Sequence, residues 1–420
     1  ENTYLVNGLN TTNVYYMIGS SFVPMEFVEE VQVKTGGYSA EFGRSTGGVI
    51  NMVTKSGTNL FRGGVSLYAS PESLQMQEAD TFQIDDYGNA SLWRANSSER
   101  QEGLEGNLSV GGPVVRDRLF FFAFMRYADW GKINMRAPTV ARDSSAADPY
   151  WGGKLDWVIT NSHRLEGTFL SDETSVDHSY YSVVPDSGEI GSFLNDGYSL
   201  RGGQNWVLKY TGVLSPKVVL SAQAGVNPFE RTNRSTADDT CPYAWDARDG
   251  NSNRVGCWLI GFPVHLADER KAYRMDLDWV IGKHGVRAGI DAETNTSTGS
   301  QDYSGGIYFR YLLNGAEGEP SDSFHFPDLP WNQELVRVRN RSIGGVFDST
   351  SNAAYLQDSW QVSRNLTVNL GVRWERFTSE KSNGETFMEV NDQIAPRFGV
   401  VWDPSGNGRS KLFGSFGTYY

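Results

Sequence analysis

The chain has 420 residues, a formal net charge of −13 and no basic run, which sets aside nucleic acid as its main partner, because phosphate binding needs clustered Lys and Arg. Aromatics and glycine are frequent, with 12 Trp, 20 Tyr, 22 Phe and 46 Gly, a mixture suited to many twisted strands and turns. The longest apolar run, Leu-Phe-Phe-Phe-Ala-Phe-Met at 119–125, is far below the ~20 residues of a membrane helix, so any membrane crossing here has to be a closed barrel.

Residues 1–58 hold two short apolar segments, at 27–33 and 49–54, joined by a glycine-rich stretch from Thr35 to Gly48. The glycines permit positive φ and close backbone approach, so this part reads as a compact mixed domain and not as membrane strands. Lys55-Ser56-Gly57-Thr58-Asn59 reads as a linker into the first long strand.

From Phe61 onward, segments of about ten residues alternate apolar and polar, the period of a strand. Leu104, Leu108 and Val110 fall opposite Glu105, Asn107 and Ser109. Leu165, Gly167 and Phe169 fall opposite Glu166 and Thr168. Leu366, Val368, Leu370, Val372 and Trp374 alternate with Thr367, Asn369, Gly371, Arg373 and Glu375. Periodicity alone does not separate a soluble sandwich from a barrel in lipid; the connections do. Tight turns at 111–118, 160–162, 215–217, 282–285, 363–365 and 404–410 alternate with long polar stretches at 69–103, 131–150, 172–198, 227–271, 295–352 and 377–394. All short turns then fall on one edge and all long loops on the other, the layout of an outer-membrane barrel with periplasmic turns and extracellular loops. A Greek-key sandwich has no reason to keep that alternation. The count is about thirteen strands, an odd number that a single bacterial chain does not close. Tyr68, Tyr127, Trp130, Trp151, Trp360, Trp374 and Trp402 lie toward strand ends, as interfacial girdles do. The start at Glu1 and the strand-like close on Phe416-Gly417-Thr418-Tyr419-Tyr420 suggest a piece of a longer protein.

Three stretches carry a family resemblance. Val28-Glu29-Glu30-Val31-Gln32-Val33, Tyr38-Ser39-Ala40-Glu41-Phe42-Gly43-Arg44, and Gly47-Gly48-Val49-Ile50-Asn51-Met52-Val53-Thr54-Lys55-Ser56-Gly57-Thr58-Asn59 together resemble the end of the plug of a TonB-dependent outer-membrane receptor of the Oar-like branch. Gly111-Gly112-Pro113-Val114-Val115-Arg116-Asp117-Arg118-Leu119-Phe120-Phe121-Phe122 and Ala395-Pro396-Arg397-Phe398-Gly399 resemble later parts of the same branch. The resemblance implies an all-β transmembrane barrel of about 22 strands, of which this chain holds part, preceded by the C-terminal part of a small mixed plug domain. It places the plug end at 1–58 and the incomplete barrel at 59–420. It further implies a bacterial outer-membrane location and ligand capture by the extracellular loops. Import would be powered by a TonB complex that meets a segment ahead of Glu1. The partners are then TonB, outer-membrane lipid and a small-molecule, oligosaccharide or peptide ligand. A surface or adhesive role with the barrel as anchor is the alternative, distinguished by unchanged uptake and lost adhesion on deletion. A soluble β-rich enzyme or lectin is a third, distinguished by solubility without detergent.

The plug's Gly43-Arg44 pair is, by the same resemblance, a lock against acidic residues of the barrel wall. An inward Arg demands such a partner, and Glu166, Glu293 and Glu375 are the candidates; a solvated loop Arg is the alternative. Trp245, Trp258, Tyr303, Tyr308 and Trp331 lie in the longest loops and are either ligand contacts or packing within those loops. Cys241 and Cys257, alone in the chain, flank a polar segment and suggest a disulfide in an oxidising compartment; two unrelated thiols are the alternative. The five histidines, at 163, 178, 265, 284 and 325, have no metal-ligand spacing, and no nucleophile elbow or phosphate loop occurs. The expectation is neither catalysis nor a cofactor.

Overall fold

A computed structural model describes the chain except residues 1, 15–18, 20, 22, 85–87, 137–139, 148, 185–186, 249–252 and 316–325. Near the N-terminus, a four-stranded sheet runs in the order Leu9–Asn10, Thr3–Val6, Val49–Thr54, Val28–Lys34. Thr3–Val6 lies parallel to Val49–Thr54, and the other two pairings are antiparallel. Both apolar segments of the sequence thus become strands. Val6, Val23, Phe27 and Val28 bury their side chains against Phe122, Phe124, Tyr150 and Leu170 of the surrounding wall, with the Phe27 and Phe124 rings stacked at 4.4 Å. This explains the long apolar run at 119–125. Its outward residues meet lipid and its inward ones meet the inner sheet, so both faces are apolar.

The wall is one antiparallel meander. It runs through Arg62–Ser70, Arg100–Val115 and Leu119–Arg136. Three strands follow that are each interrupted once: Val140–Ala146 with Pro149–Thr160, His163–Ser171 with Thr174–Val183, and Ile190–Gly202 with Gln204–Ser215. Val218–Ser235, Val264–Ile281, His284–Asp302, Ser342–Ser363, Leu366–Glu380, Thr386–Trp402 and Leu412–Gly417 complete it. With each interrupted strand taken as one, thirteen strands follow in chain order. The third interruption sits at Gly202-Gly203, where Gly202 has φ +106° and a Cβ would overlap the Asp172 carbonyl. The Gly203 N–H donates to Asp172 Oδ1 at 2.9 Å, which restores a backbone partner at the step.

Side-chain exposure settles which face is which. Leu104, Leu108, Val110, Trp157, Trp206, Leu370, Val372 and Trp374 are exposed, whereas Asn107, Thr168, Asp291, Glu293, Arg373 and Glu375 are buried. A soluble sandwich has the reverse arrangement. Apolar outside and polar inside is the pattern of a strand wall in lipid. Among the described residues no helix is long and apolar enough to cross a membrane.

The strands reach well past the lipid, up to 22 residues in Ser342–Ser363. The stretches 131–150, 172–198 and 377–394, read as loops, are therefore mostly strand. Beyond the hydrocarbon both faces meet polar surroundings, so the alternation fades while the backbone ladder continues to satisfy its own N–H and C=O groups. Gly57 marks the linker's path: its Cβ would overlap the backbone of Phe121, so a side chain there would lift the linker off the wall.

Candidate functional site: a charged seat inside the wall

The inward-facing positions of neighbouring strands fall into rows across the barrel. Arg274 lies opposite Asp291, Asp291 opposite Ala353, and Ala353 opposite Glu375. One residue-pair along, Ala272 lies opposite Glu293, and Glu293 opposite Ser351. Period two aims all of these at the inner sheet, and charged side chains at such positions need partners there.

The partners are supplied by the glycine-rich stretch. Arg44 sits in the left-handed region at φ +55°. Its Nη2 donates to Asp291 Oδ1 and lies 3.2 Å from Glu293 Oε1. Burial disfavours the Arg44 charge, but Glu293, Asp291 and Glu375 outweigh it and hold the guanidinium more firmly protonated than usual. Gly43 lies so close to the wall that a Cβ would overlap Glu375 and Arg373. Arg373 is fully buried; it bonds Asp291 Oδ2 at 2.9 Å and Glu375 Oε1 at 2.6 Å. Arg270 is 3.3 Å from Glu293 Oε2 and donates to the Asn10 and Thr12 carbonyls at 3.1 and 2.6 Å. Arg397 donates to the Tyr38 carbonyl at 3.2 Å. The seat therefore holds the inner sheet by its loops, through wall arginines on backbone oxygens and one sheet arginine on wall carboxylates.

Of the three expected partners of Arg44, Glu293 is in contact. Glu375 belongs to the same network but reaches it through Arg373. Glu166 does not join it; its carboxylate pairs with Arg164 at 2.8 Å on another part of the wall. Asp291 was missed. The available signal was its position two residues before Glu293, on the same face of the same strand. The inward arginines 270, 274, 373 and 397 alternate in the same way and were equally visible.

A second bridge joins Glu41 to the wall. Its Oε2 accepts from Arg274 at 3.0 Å and from Arg287. Burial raises the Glu41 pKa, but Arg287 and Arg274 together bring it below the ordinary glutamate value. A carboxyl with a depressed folded pKa gives its full stabilisation above the unfolded value and loses it as pH falls through the folded one. The inner sheet should therefore loosen in acid, at a pH below the ordinary glutamate range. Glu41→Gln should remove that part of the acid sensitivity, read as protease access to residues 1–58 across a pH series. An unchanged acid profile in the variant would show that Glu41 is not the sensor.

The two longest loops fold together. Tyr243–Asp246, Asn253–Val255, Tyr308–Leu313 and Glu334–Arg339 form a four-stranded sheet in which strands from different loops pair in parallel, Tyr243 opposite Tyr308. Cys241 and Cys257 are joined in a disulfide, with Cα atoms 5.5 Å apart. Trp258 stacks edge-on against Tyr243 at 4.4 Å and donates its indole N–H to the Ala244 carbonyl at 2.8 Å. Trp258, Tyr303 and Tyr308 are buried in this cluster, and Trp245 packs against Trp258 at 4.9 Å. These rings bind the loops to each other. Trp331 alone among the five is mostly exposed, at 65%. A disulfide closing a loop of this size removes on the order of 3 kcal/mol of unfolded-chain entropy. Reduction should therefore speed proteolysis at 236–263 several-fold while leaving the barrel resistant, as followed by mass-mapped limited digestion. Equal cleavage rates with and without reductant would show that the ring cluster suffices.

Among the described residues no group of three or more His, Cys, Asp or Glu side chains is placed to hold a metal ion; His325 lies outside the described residues.

The chain resembles known proteins over its whole length. It is 27% identical to the TonB-dependent transporter Oar of Myxococcus xanthus, an alignment covering 100% of this chain and 46% of that protein. It is 25% identical to a probable TonB-dependent siderophore receptor, PirA of Acinetobacter baumannii, over 90% of this chain and 45% of that protein. The outer membrane transporter YddB of Escherichia coli shares the fold, with a TM-score of 0.63 at 15% identity over 100% of this chain and 53% of that one. The chain thus spans about half the length of the relatives it matches, and these are described as transporters and receptors, not enzymes. The family described as "Outer membrane beta barrel domain" matches residues 126–393. A lipid-facing apolar wall, a polar lumen and that match make the chain a member of the outer-membrane β-barrel family, located in the bacterial outer membrane.

Proposed function

We propose that residues 1–58 are the end of a plug and residues 59–420 part of the barrel of a TonB-dependent receptor. It captures a scarce nutrient with its long loops and imports it when the TonB complex, acting on a segment ahead of the plug, displaces the plug. The observation that supports this most is the chemistry of the seat. Ion pairs and backbone hydrogen bonds hold the inner sheet beside an apolar patch around Phe27 and Phe124. Water can replace polar contacts at modest net cost, about 1 kcal/mol per neutral hydrogen bond and about 1.5–3 kcal/mol per charged one, so such a seat can open and reseal. A fully apolar seat would resist opening by the whole of its buried area. Oar and PirA, both described as TonB-dependent, support the same reading. The loop aromatics do not choose among iron chelates, oligosaccharides and peptides as ligand.

The test is uptake by the full-length protein with and without TonB. Ligand should bind in both strains and enter only where TonB is present. Uptake at the same rate in a TonB-deleted strain would end the transport reading.

A further inference from the structure

A cavity of about 430 Å3 separates the inner sheet from the wall. The sheet contributes Gln32, Lys34 and Asn51; the wall contributes Lys154, Glu166 and Lys209. Glu166 and Lys154 lie on the two strands joined by the short turn at 161–162, so the cavity sits on the short-turn side of the lumen.

Most charges around it are already paired. Glu41 is held by Arg274 and Arg287, Asp276 by Arg274 at 2.8 Å, and Glu166 by Arg164 at 2.8 Å. Two wall lysines are held more loosely. Lys154 is only 7% exposed, yet its nearest carboxylate oxygen, Asp156 Oδ1, is 4.0 Å away and is held by Arg164 at 2.8 Å. Lys209 stands opposite Glu166 in the strand ladder, but that carboxylate is turned to Arg164. Both ammonium groups line the cavity with no acceptor at hydrogen-bond distance among the described residues, and an oxyanion entering it would gain charge-assisted hydrogen bonds from them.

We propose that Lys154 and Lys209 form an anion foothold on the barrel wall, which receives a carboxylate or phosphate group of a small ligand as it leaves past the plug. The proposal rests on the import reading. Both lysines belong to the wall, so they stay in place when the sheet moves. The same movement withdraws Glu41, the sheet's own carboxylate, and leaves Arg274 and Arg287 less neutralised. Lysine holds an oxyanion as a mobile point charge without a fixed fork geometry, which suits passage more than storage.

The experiment titrates inorganic pyrophosphate into the full-length receptor in detergent micelles at low salt, followed by calorimetry. Saturable binding is expected, weakened by about ten-fold in the Lys154→Gln, Lys209→Gln double variant and by added salt. The Lys154→Arg, Lys209→Arg variant should keep the affinity, and heat-modifiable migration on gels confirms that each variant is folded. No saturable binding, or binding of equal strength in the glutamine variant, overturns the foothold. The measurement needs no TonB. A receptor that imports normally but binds no pyrophosphate refutes the foothold alone, and one that binds it but imports without TonB refutes the import reading alone.

Discussion

Arg373→Ala should destabilise the folded barrel by about 3–5 kcal/mol, the usual cost of stranding a buried charge. Arg373 is fully buried and is shared by Asp291 and Glu375, which flank Ala353 in one row of the wall and lie 2.9 and 2.6 Å from its guanidinium. Removing it leaves two carboxylates close together in a dry site with one cation fewer. Lysine cannot substitute, because one ammonium does not present the two separate faces of the guanidinium fork. Urea unfolding of the full-length protein in micelles, followed by tryptophan fluorescence, reads the effect. If stranded charge is the cause, Arg373→Met combined with Asp291→Asn and Glu375→Gln should recover most of the loss. A single Ala variant within about 1 kcal/mol of the parent would show that water reaches the site and solvates both carboxylates.

The wall was legible in the sequence for a physical reason. Lipid on one side and a polar lumen on the other force alternation at each residue, as in Leu366 to Glu375. Where that pressure ends, legibility ends. The upper parts of Val140–Ala146 and Thr174–Val183 carry Asp, Ser, His and Tyr on both faces, so they read as loop although they extend the same ladder. The loop sheet was hidden for another reason: its parallel pairing joins Tyr243 to Tyr308 across 65 positions of sequence, and no local pattern encodes it. The seat was half visible. Gly43-Arg44 stood out because the family resemblance marks that pair as a lock, and Glu293 because it alternates inward. Which of several inward carboxylates meets Arg44 depends on strand stagger around the barrel, and that placed Asp291 in the contact and Glu166 several strands away.

That stagger gives the second large effect a specific form. Arg44 is the one arginine of the inner sheet in the network, so its loss should loosen the sheet and spare the wall. Asp291 would keep Arg373, and Glu293 would keep Arg270 at 3.3 Å. The substitution has to be chosen with the backbone in mind. At φ +55° arginine already bears the strain of its Cβ and alanine keeps it unchanged, so Arg44→Ala removes the guanidinium alone, whereas glycine would also relieve that strain. The expected result is a loss of about 1.5–3 kcal/mol in sheet seating, the range for hydrogen bonds to charged groups, with wall unfolding unchanged. Protease access to residues 1–58 reads the first and urea unfolding of the barrel the second. Arg44→Ala and Asp291→Asn should be non-additive, since they remove the same contact, and a double-mutant cycle measures that coupling. The Asp291 variant alone should also weaken the wall, because Arg373 loses a partner, and this asymmetry distinguishes a lock from a shared structural knot. Equal damage to sheet and wall from both substitutions would mean that Arg44 is part of the wall's own framework, and that the moving boundary lies elsewhere.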